Sequence, residues 1–271
     1  MTVSRLPGCN CPCHGEPVGY CCPCWTVGAP SQEPREVLTL DAYRGQGDMD
    51  VSKVVAAGFE IAILKAGEGT SYFKNNPSAK VWVEKHAPVF AALNIPLQYY
   101  HFGRPDGAPR GKTHLQDAQL EAEDFLASIA PLPDPAVISY RSEATAAVFL
   151  DLEKDVDNLN ESEGLAWTLR WIEVVEKQWP VGFYTGKGWL EDEVTPLGDD
   201  SLKKLFWRED NSRRALWVAR YGQNTGADMR DKYPPSAKVP DFLGQADIEQ
   251  FTSRRRTPGI DAPHDASYSI L

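Results

Sequence analysis

The run Ala146-Ala147-Val148-Phe149-Leu150-Asp151-Leu152-Glu153 decides how this chain is read. Its apolar part is short, uninterrupted and rich in β-formers, the pattern of a strand covered on both faces. Side chains alternate along a strand, so Asp151 and Glu153 leave it on the same face just where it ends. Two neighbouring carboxylates repel when both are ionised, which raises one pKa so that it can act as an acid near neutral pH. Such split pairs are the working parts of glycoside hydrolysis. The plainer reading is an acidic pair that caps the next segment or is simply solvated.

Outward from that strand the pattern repeats. Candidate strands at 37–41, 59–65, 95–101, 146–151, 181–184, 215–219 and 247–251 alternate with helical segments, which signals an α/β fold with a largely parallel sheet. Leu115, Ala118, Ala122, Phe125 and Ile129 fall on one helical face, and Leu165, Leu169, Ile172, Val175 and Trp179 on another. Several strands end in polar or acidic residues: Asp41, Lys65, Tyr100-His101, Asp151/Glu153 and Tyr184. In a parallel barrel the loops after the strands converge, so these residues point to one shared site.

Bulk properties bound the partners. With 271 residues, 42% of them hydrophobic, the chain can bury a large core. A net charge of −10 argues against a nucleic-acid partner, which needs a basic face for phosphate. No run of about 18 apolar residues is present to span a membrane. The start, Met1-Thr2-Val3-Ser4-Arg5-Leu6-Pro7, lacks the apolar core of a secretory signal.

All six cysteines, Cys9, Cys11, Cys13, Cys21, Cys22 and Cys24, lie in the first 24 residues among prolines and glycines. Such a segment builds no core of its own. Three readings stand side by side: structural zinc held by thiolates and His14, three local disulfides with 15 connectivities, or a tail that anchors a protein partner. The expected organisation is a cysteine-rich extension at 1–25, a linker at 26–36 and one catalytic domain at 37–271.

Further motifs extend the reading. Leu40-Asp41-Ala42-Tyr43-Arg44-Gly45-Gln46-Gly47-Asp48-Met49-Asp50 opens the domain. Leu64-Lys65-Ala66-Gly67-Glu68-Gly69-Thr70-Ser71-Tyr72, Tyr100-His101-Phe102-Gly103-Arg104-Pro105 and Asp151-Leu152-Glu153 follow. Then come Phe183-Tyr184-Thr185-Gly186, Leu216-Trp217-Val218-Ala219-Arg220-Tyr221-Gly222, Gln250-Phe251-Thr252 and Pro258-Gly259-Ile260-Asp261. In this order and spacing the segments resemble glycoside hydrolase family 25, the muramidases or phage-type lysozymes that cut peptidoglycan. The likeness covers about residues 37–266. Three positions depart from it: Ala42-Tyr43 replaces the usual Val-Ser, and Glu249 stands where an aromatic is preferred.

The resemblance implies an irregular TIM-like (β/α) barrel with an acidic groove. It implies that Glu153 is the general acid, that Asp151 tunes it, and that Asp41 and Asp261 position water or the substrate's acetamido group. Asp265 also lies in the closing segment; the position after Gly-Ile favours Asp261. Lys65, Glu68, Tyr100, His101, Phe102, Tyr184, Trp217, Tyr221 and Gln250 are candidate substrate-binding residues. Aromatics at strand ends can cover sugar faces, although core packing is the commoner use of an aromatic in a barrel. Arg254-Arg255-Arg256 reads as a solvated loop. Catalysis of this kind requires no cofactor. The expected activity is hydrolysis of the β-1,4 bond between N-acetylmuramic acid and N-acetylglucosamine by a phage lysin or virion-associated lysozyme. That enzyme would be made in the host cytoplasm and act on the wall, or be carried in the virion. The alternatives are a virion or wall-binding module that keeps the barrel but hydrolyses little, and a barrel glycosidase acting on another amino-sugar polymer such as chitin.

Overall fold

The computed structural model describes residues 3–5, 25–27, 35–105, 111–140, 143–153, 161–186, 199–219 and 246–271. Two compact units divide the chain, Met1–Arg35 and Glu36–Leu271. In the first, Val3–Arg5 pairs antiparallel with Trp25–Val27, so two residues expected in a linker belong to a strand. All six cysteines and His14 lie outside the described residues.

The second unit is a closed barrel of eight strands. They are β1 (Glu36–Ala42), β2 (Ile61–Glu68), β3 (Leu97–Phe102), β4 (Val148–Leu152), β5 (Val181–Gly186), β6 (Leu216–Ala219), β7 (Ile248–Arg255) and β8 (His264–Ile270). Strands β1 to β7 run parallel where they pair, while β8 closes the ring antiparallel to both β7 and β1. The seven expected strands are present with shifted ends. The eighth was not foreseen: His264–Ile270 alternates polar Asp265, Ser267 and Ser269 with apolar Ala266, Tyr268 and Ile270, but it lacks the uninterrupted apolar run by which most of the other strands were read. Two of the three arginines read as a loop, Arg254 and Arg255, end β7 instead, with the Arg255 guanidinium 5.5 Å from the Phe59 ring centre.

Alternation along the strands sorts two cores. Val37, Ile61, Ile63, Phe149, Ala215, Trp217 and Ile248 fill the barrel, while Leu40, Leu64, Tyr99, Val148, Leu150, Phe183 and Val218 face the helices. Gly182 makes room inside: a Cβ there would lie 2.5 Å from the Phe149 ring. Between β3 and β4 runs α1 (His114–Ile129), which a capping box starts: Gln116 N–H donates to Thr113 Oγ1 at 3.2 Å, and Thr113 N–H to Gln116 Oε1 at 3.1 Å. Ala118, Ala122, Phe125 and Ile129 of this helix are buried as expected. Leu115, in its first turn, stays 43% exposed. Helix α2 (Glu161–Val175) packs beside it through Trp167 and Trp171.

The barrel floor, at the start of the parallel strands, is closed by an ion pair. Arg213 Nη2 donates to Asp247 Oδ1 at 2.5 Å, and Leu216 N–H donates to Asp247 Oδ2 at 2.8 Å. Both side chains are buried.

Candidate active site

Four carboxylates meet at the opposite end. Asp41 ends the inward-facing row of β1, and Asp151 and Glu153 follow Phe149 on the inner face of β4. Their separation by two residues puts both on that face, as strand geometry requires. The fourth is Asp265, which sits directly opposite Asp41 in the β8–β1 register. Because β8 runs the other way, its beginning rather than its end reaches the mouth. Asp261, expected in this place, is exposed on the preceding loop, where Oδ2 accepts a hydrogen bond from Asp48 N–H at 3.2 Å. Its segment clamps the loop after β1: Asp50 N–H donates to Gly259 O at 2.7 Å, and Ala262 N–H to Gln46 O at 3.2 Å. Gly47, at φ +86, lies against Asp261.

Crowding sets the electrostatics. Burial raises the Asp41 carboxyl well above its usual range, and the negative charges of Asp265, Asp151 and Glu153 add to the effect. Asp151 is raised likewise, by burial and then by Glu153. Burial and the nearby Glu153 push Asp265 up to about 7. Glu153 stands at the mouth and is exposed to solvent, yet the protein around it still lifts its pKa. A hydrogen bond from Tyr184 and the Lys65 ammonium pull against that rise. Protons in such a cluster belong to the set rather than to one residue.

A hydrogen-bonded chain links the two sides. Tyr184 Oη lies 3.1 Å from Glu153 Oε1 and 2.6 Å from Gln250 Oε1, while Gln250 Nε2 donates to Asp41 Oδ2 at 3.4 Å. A phenol has one hydrogen to give. While Glu153 keeps its proton, Glu153 donates to Tyr184 and Tyr184 donates to Gln250. Once Glu153 is ionised, the phenolic hydrogen supports the new carboxylate through the stronger, charge-assisted bond.

One rim of the mouth is cationic and aromatic. Lys65 Nζ donates to Glu68 Oε2 at 2.6 Å and lies 4.7 Å from the Phe102 ring centre and 5.7 Å from that of Tyr72. Arg104 pairs with Glu68 Oε1 through Nε and Nη2, and its guanidinium lies 4.8 Å from the Phe102 ring centre. Burial works to raise Glu68, but Lys65 and Arg104 hold it below the usual range. Neither Arg104 nor Tyr72 was singled out in the sequence as a site residue. The signal for Arg104 was its place two residues after Phe102.

Other candidates lie elsewhere. His101 points outward from β3, fully buried between the Phe125 and Trp171 rings. Burial and the charge of Lys65 lower its pKa to about 3, so the neutral ring donates from Nε2 to Glu121 Oε2 at 2.7 Å. It therefore cannot touch a substrate in the mouth; the odd-numbered residues of β3 face the helices. Trp217 points inward but is 1% exposed, with Nε1–H donating to Ser267 Oγ at 3.1 Å and its ring edge-on to Tyr184. It is the packing beneath the site, not a sugar platform. Tyr100 is also buried, under Asp41 and Asp151. Tyr221 lies outside the described residues. Among the described residues no group of three or more His, Cys, Asp or Glu side chains is arranged to hold a metal ion.

Comparison with known proteins agrees with this architecture. The family model for glycosyl hydrolases family 25 matches residues 40–260, a span that stops short of both Asp261 and Asp265. The autolytic lysozyme of Clostridium acetobutylicum is 23% identical over 218 residues, 79% of this chain and 55% of its own length. This chain thus spans about half of that relative. Among solved structures, the catalytic domain of endolysin ply40 from bacteriophage P40 of Listeria monocytogenes aligns with a TM-score of 0.60 at 20% identity, over 87% of this chain and 93% of its own. The family GH25 lysozyme from Aspergillus fumigatus gives 0.59 at 18% identity, over 87% and 94%.

Proposed function

Given that the chain belongs to glycosyl hydrolases family 25, we propose that it is a muramidase, hydrolysing the β-1,4 bond between N-acetylmuramic acid and N-acetylglucosamine in peptidoglycan. The observation that carries this reading is the row Asp151–Glu153 at the mouth of a closed barrel, faced by Asp41 and Asp265. Glu153 is the member of the cluster that a bound sugar reaches first, and its raised pKa lets it hold a proton to higher pH than a free carboxyl would. That proton goes to the glycosidic oxygen as the bond breaks. Positive charge then grows on the sugar ring, and the Asp151 carboxylate beneath stabilises it in a site from which water is largely excluded. Asp41 and Asp265 position the attacking water or the substrate's acetamido group. Tyr184 steadies Glu153 after the transfer by turning its single hydrogen from Gln250 to the new carboxylate.

Clearing of purified cell walls tests the assignment, with mass spectrometry of the fragments for reducing-end muramic acid. The wild type should clear the suspension, and Glu153→Gln should lose about 10²–10⁴-fold of the rate while keeping its fold. No clearing by the wild type, or equal clearing by Glu153→Gln, overturns the proposal. Reducing-end N-acetylglucosamine alone would place the cut at the other linkage.

A further inference from the structure

Two cations share one carboxylate on the rim of the acid cluster. Lys65 and Arg104 both bond Glu68 and both lie against the Phe102 ring, so these three side chains carry one positive charge in excess at the rim, with the buried Glu121 carboxylate behind the Arg104 backbone. Arg104 commits Nε and Nη2 to Glu68, which leaves Nη1 uncommitted among the described residues. A surface ion pair would need no particular mounting, yet the backbone here is held at three points. Arg104 N–H donates to the buried Glu121 carboxylate at 3.2 Å, Gly103 N–H to Asp151 O at 2.8 Å, and Gly69 N–H to Phe102 O at 3.1 Å. The second of these bonds ties the Arg104 turn to the strand that carries Asp151 itself. A rigid guanidinium with donors in a fixed fork suits a carboxylate better than it suits a sugar hydroxyl.

A neutral glycan would gain nothing from this cation. A substrate carrying carboxylates would be repelled by four acids on a chain of net charge −10 unless a local positive group received it. We propose that Arg104, backed by Lys65 and the Phe102 ring, forms an anion subsite beside the acid cluster that takes a carboxylate of the muramyl residue, in its lactyl group or its stem peptide. This rests on the muramidase reading and adds to it a reason why one polymer is preferred over an uncharged one.

Calorimetry on the Glu153→Gln protein separates the two ideas, since it reads binding without turnover. Three probes are compared: glycan strands bearing stem peptides, the same strands with the peptides removed by an amidase so that the lactyl carboxylates are free, and N-acetylglucosamine oligomers of equal length. Adding Arg104→Gln should weaken the carboxylate-bearing strands about tenfold more than the oligomers, and Arg104→Lys should recover part of the difference. Loss confined to the peptide-bearing strands names the stem peptide as the source, and loss on the stripped strands names the lactyl group. Equal weakening of all three probes overturns the subsite. A check without an arginine variant is salt: raising it should weaken the charged strands more than the oligomers, and parallel curves would again overturn the proposal. Failure of the muramidase reading looks different, as intact walls that the wild type does not clear.

Discussion

The floor and the mouth of this barrel bury aspartates equally well and use them in opposite ways. At the floor Asp247 is 1% exposed and meets an arginine and a backbone N–H. At the mouth Asp41 and Asp151 are 5% and 4% exposed and meet mainly other carboxylates. A buried acid given a cation stays ionised and locks the fold, whereas buried acids given one another hold protons. Burial alone therefore does not mark a catalytic acid; its neighbours do. In barrels of this kind the division falls along the strand direction, with chemistry after the strands and stability before them.

The largest effect should come from unpairing the floor. Arg213→Met leaves Asp247 buried without its cation, and unfolding free energy should fall by about 3–5 kcal/mol, read by denaturant titration, while the folded fraction keeps its rate on cell walls. Unchanged stability would show that the two ends do not differ as described. Next comes Tyr184→Phe, which removes the hydroxyl that lowers the Glu153 pKa and supports its carboxylate. The expected result is a loss of about tenfold in kcat, near 1.4 kcal/mol, with the alkaline limb of the pH–rate profile moved to higher pH. A limb that stays put would deny the hydroxyl its role.

A smaller and pH-dependent effect belongs to Asp265. Its pKa is raised from 3.8 to about 7, so between these values the folded protein holds a proton that the unfolded chain has lost. Stability then declines as pH rises through that window and levels off above it. Asp265→Asn should flatten the fall of Tm between pH 5 and 8 by a few degrees. The same substitution at Asp261, exposed and outside the cluster, should leave both the Tm slope and the rate within about twofold. If instead Asp261→Asn flattened the slope, the register that places Asp265 opposite Asp41 would be wrong.

That pair of aspartates shows where reading the sequence succeeded and where it stopped. Seven strands, the pairing of Asp151 with Glu153 and the place of Asp41 were legible, because a short apolar run and a polar residue at its end are local signals. The eighth strand was not, since it is half polar where most of the others carry continuous apolar runs, and its direction depends on the two strands it joins. Without it the motif position after Gly-Ile favoured Asp261, which turned out to be a loop residue bonded to Asp48 N–H. For His101 and Trp217 the sequence left substrate binding and core packing both open: a strand-end motif does not say which parity faces the mouth, which decides His101, or how deep an inward side chain lies, which decides Trp217.

By itself the sequence determined the α/β class, the acid-rich strand ends and the order of motifs that resembles the family, since each follows from side-chain type and spacing along the chain. Only the tertiary structure decided which fourth acid joins the cluster, that Tyr184 and Gln250 connect Glu153 to Asp41, and that Arg104 stands beside them. These depend on register between strands far apart in the chain, and register is fixed by closing the ring with one antiparallel strand.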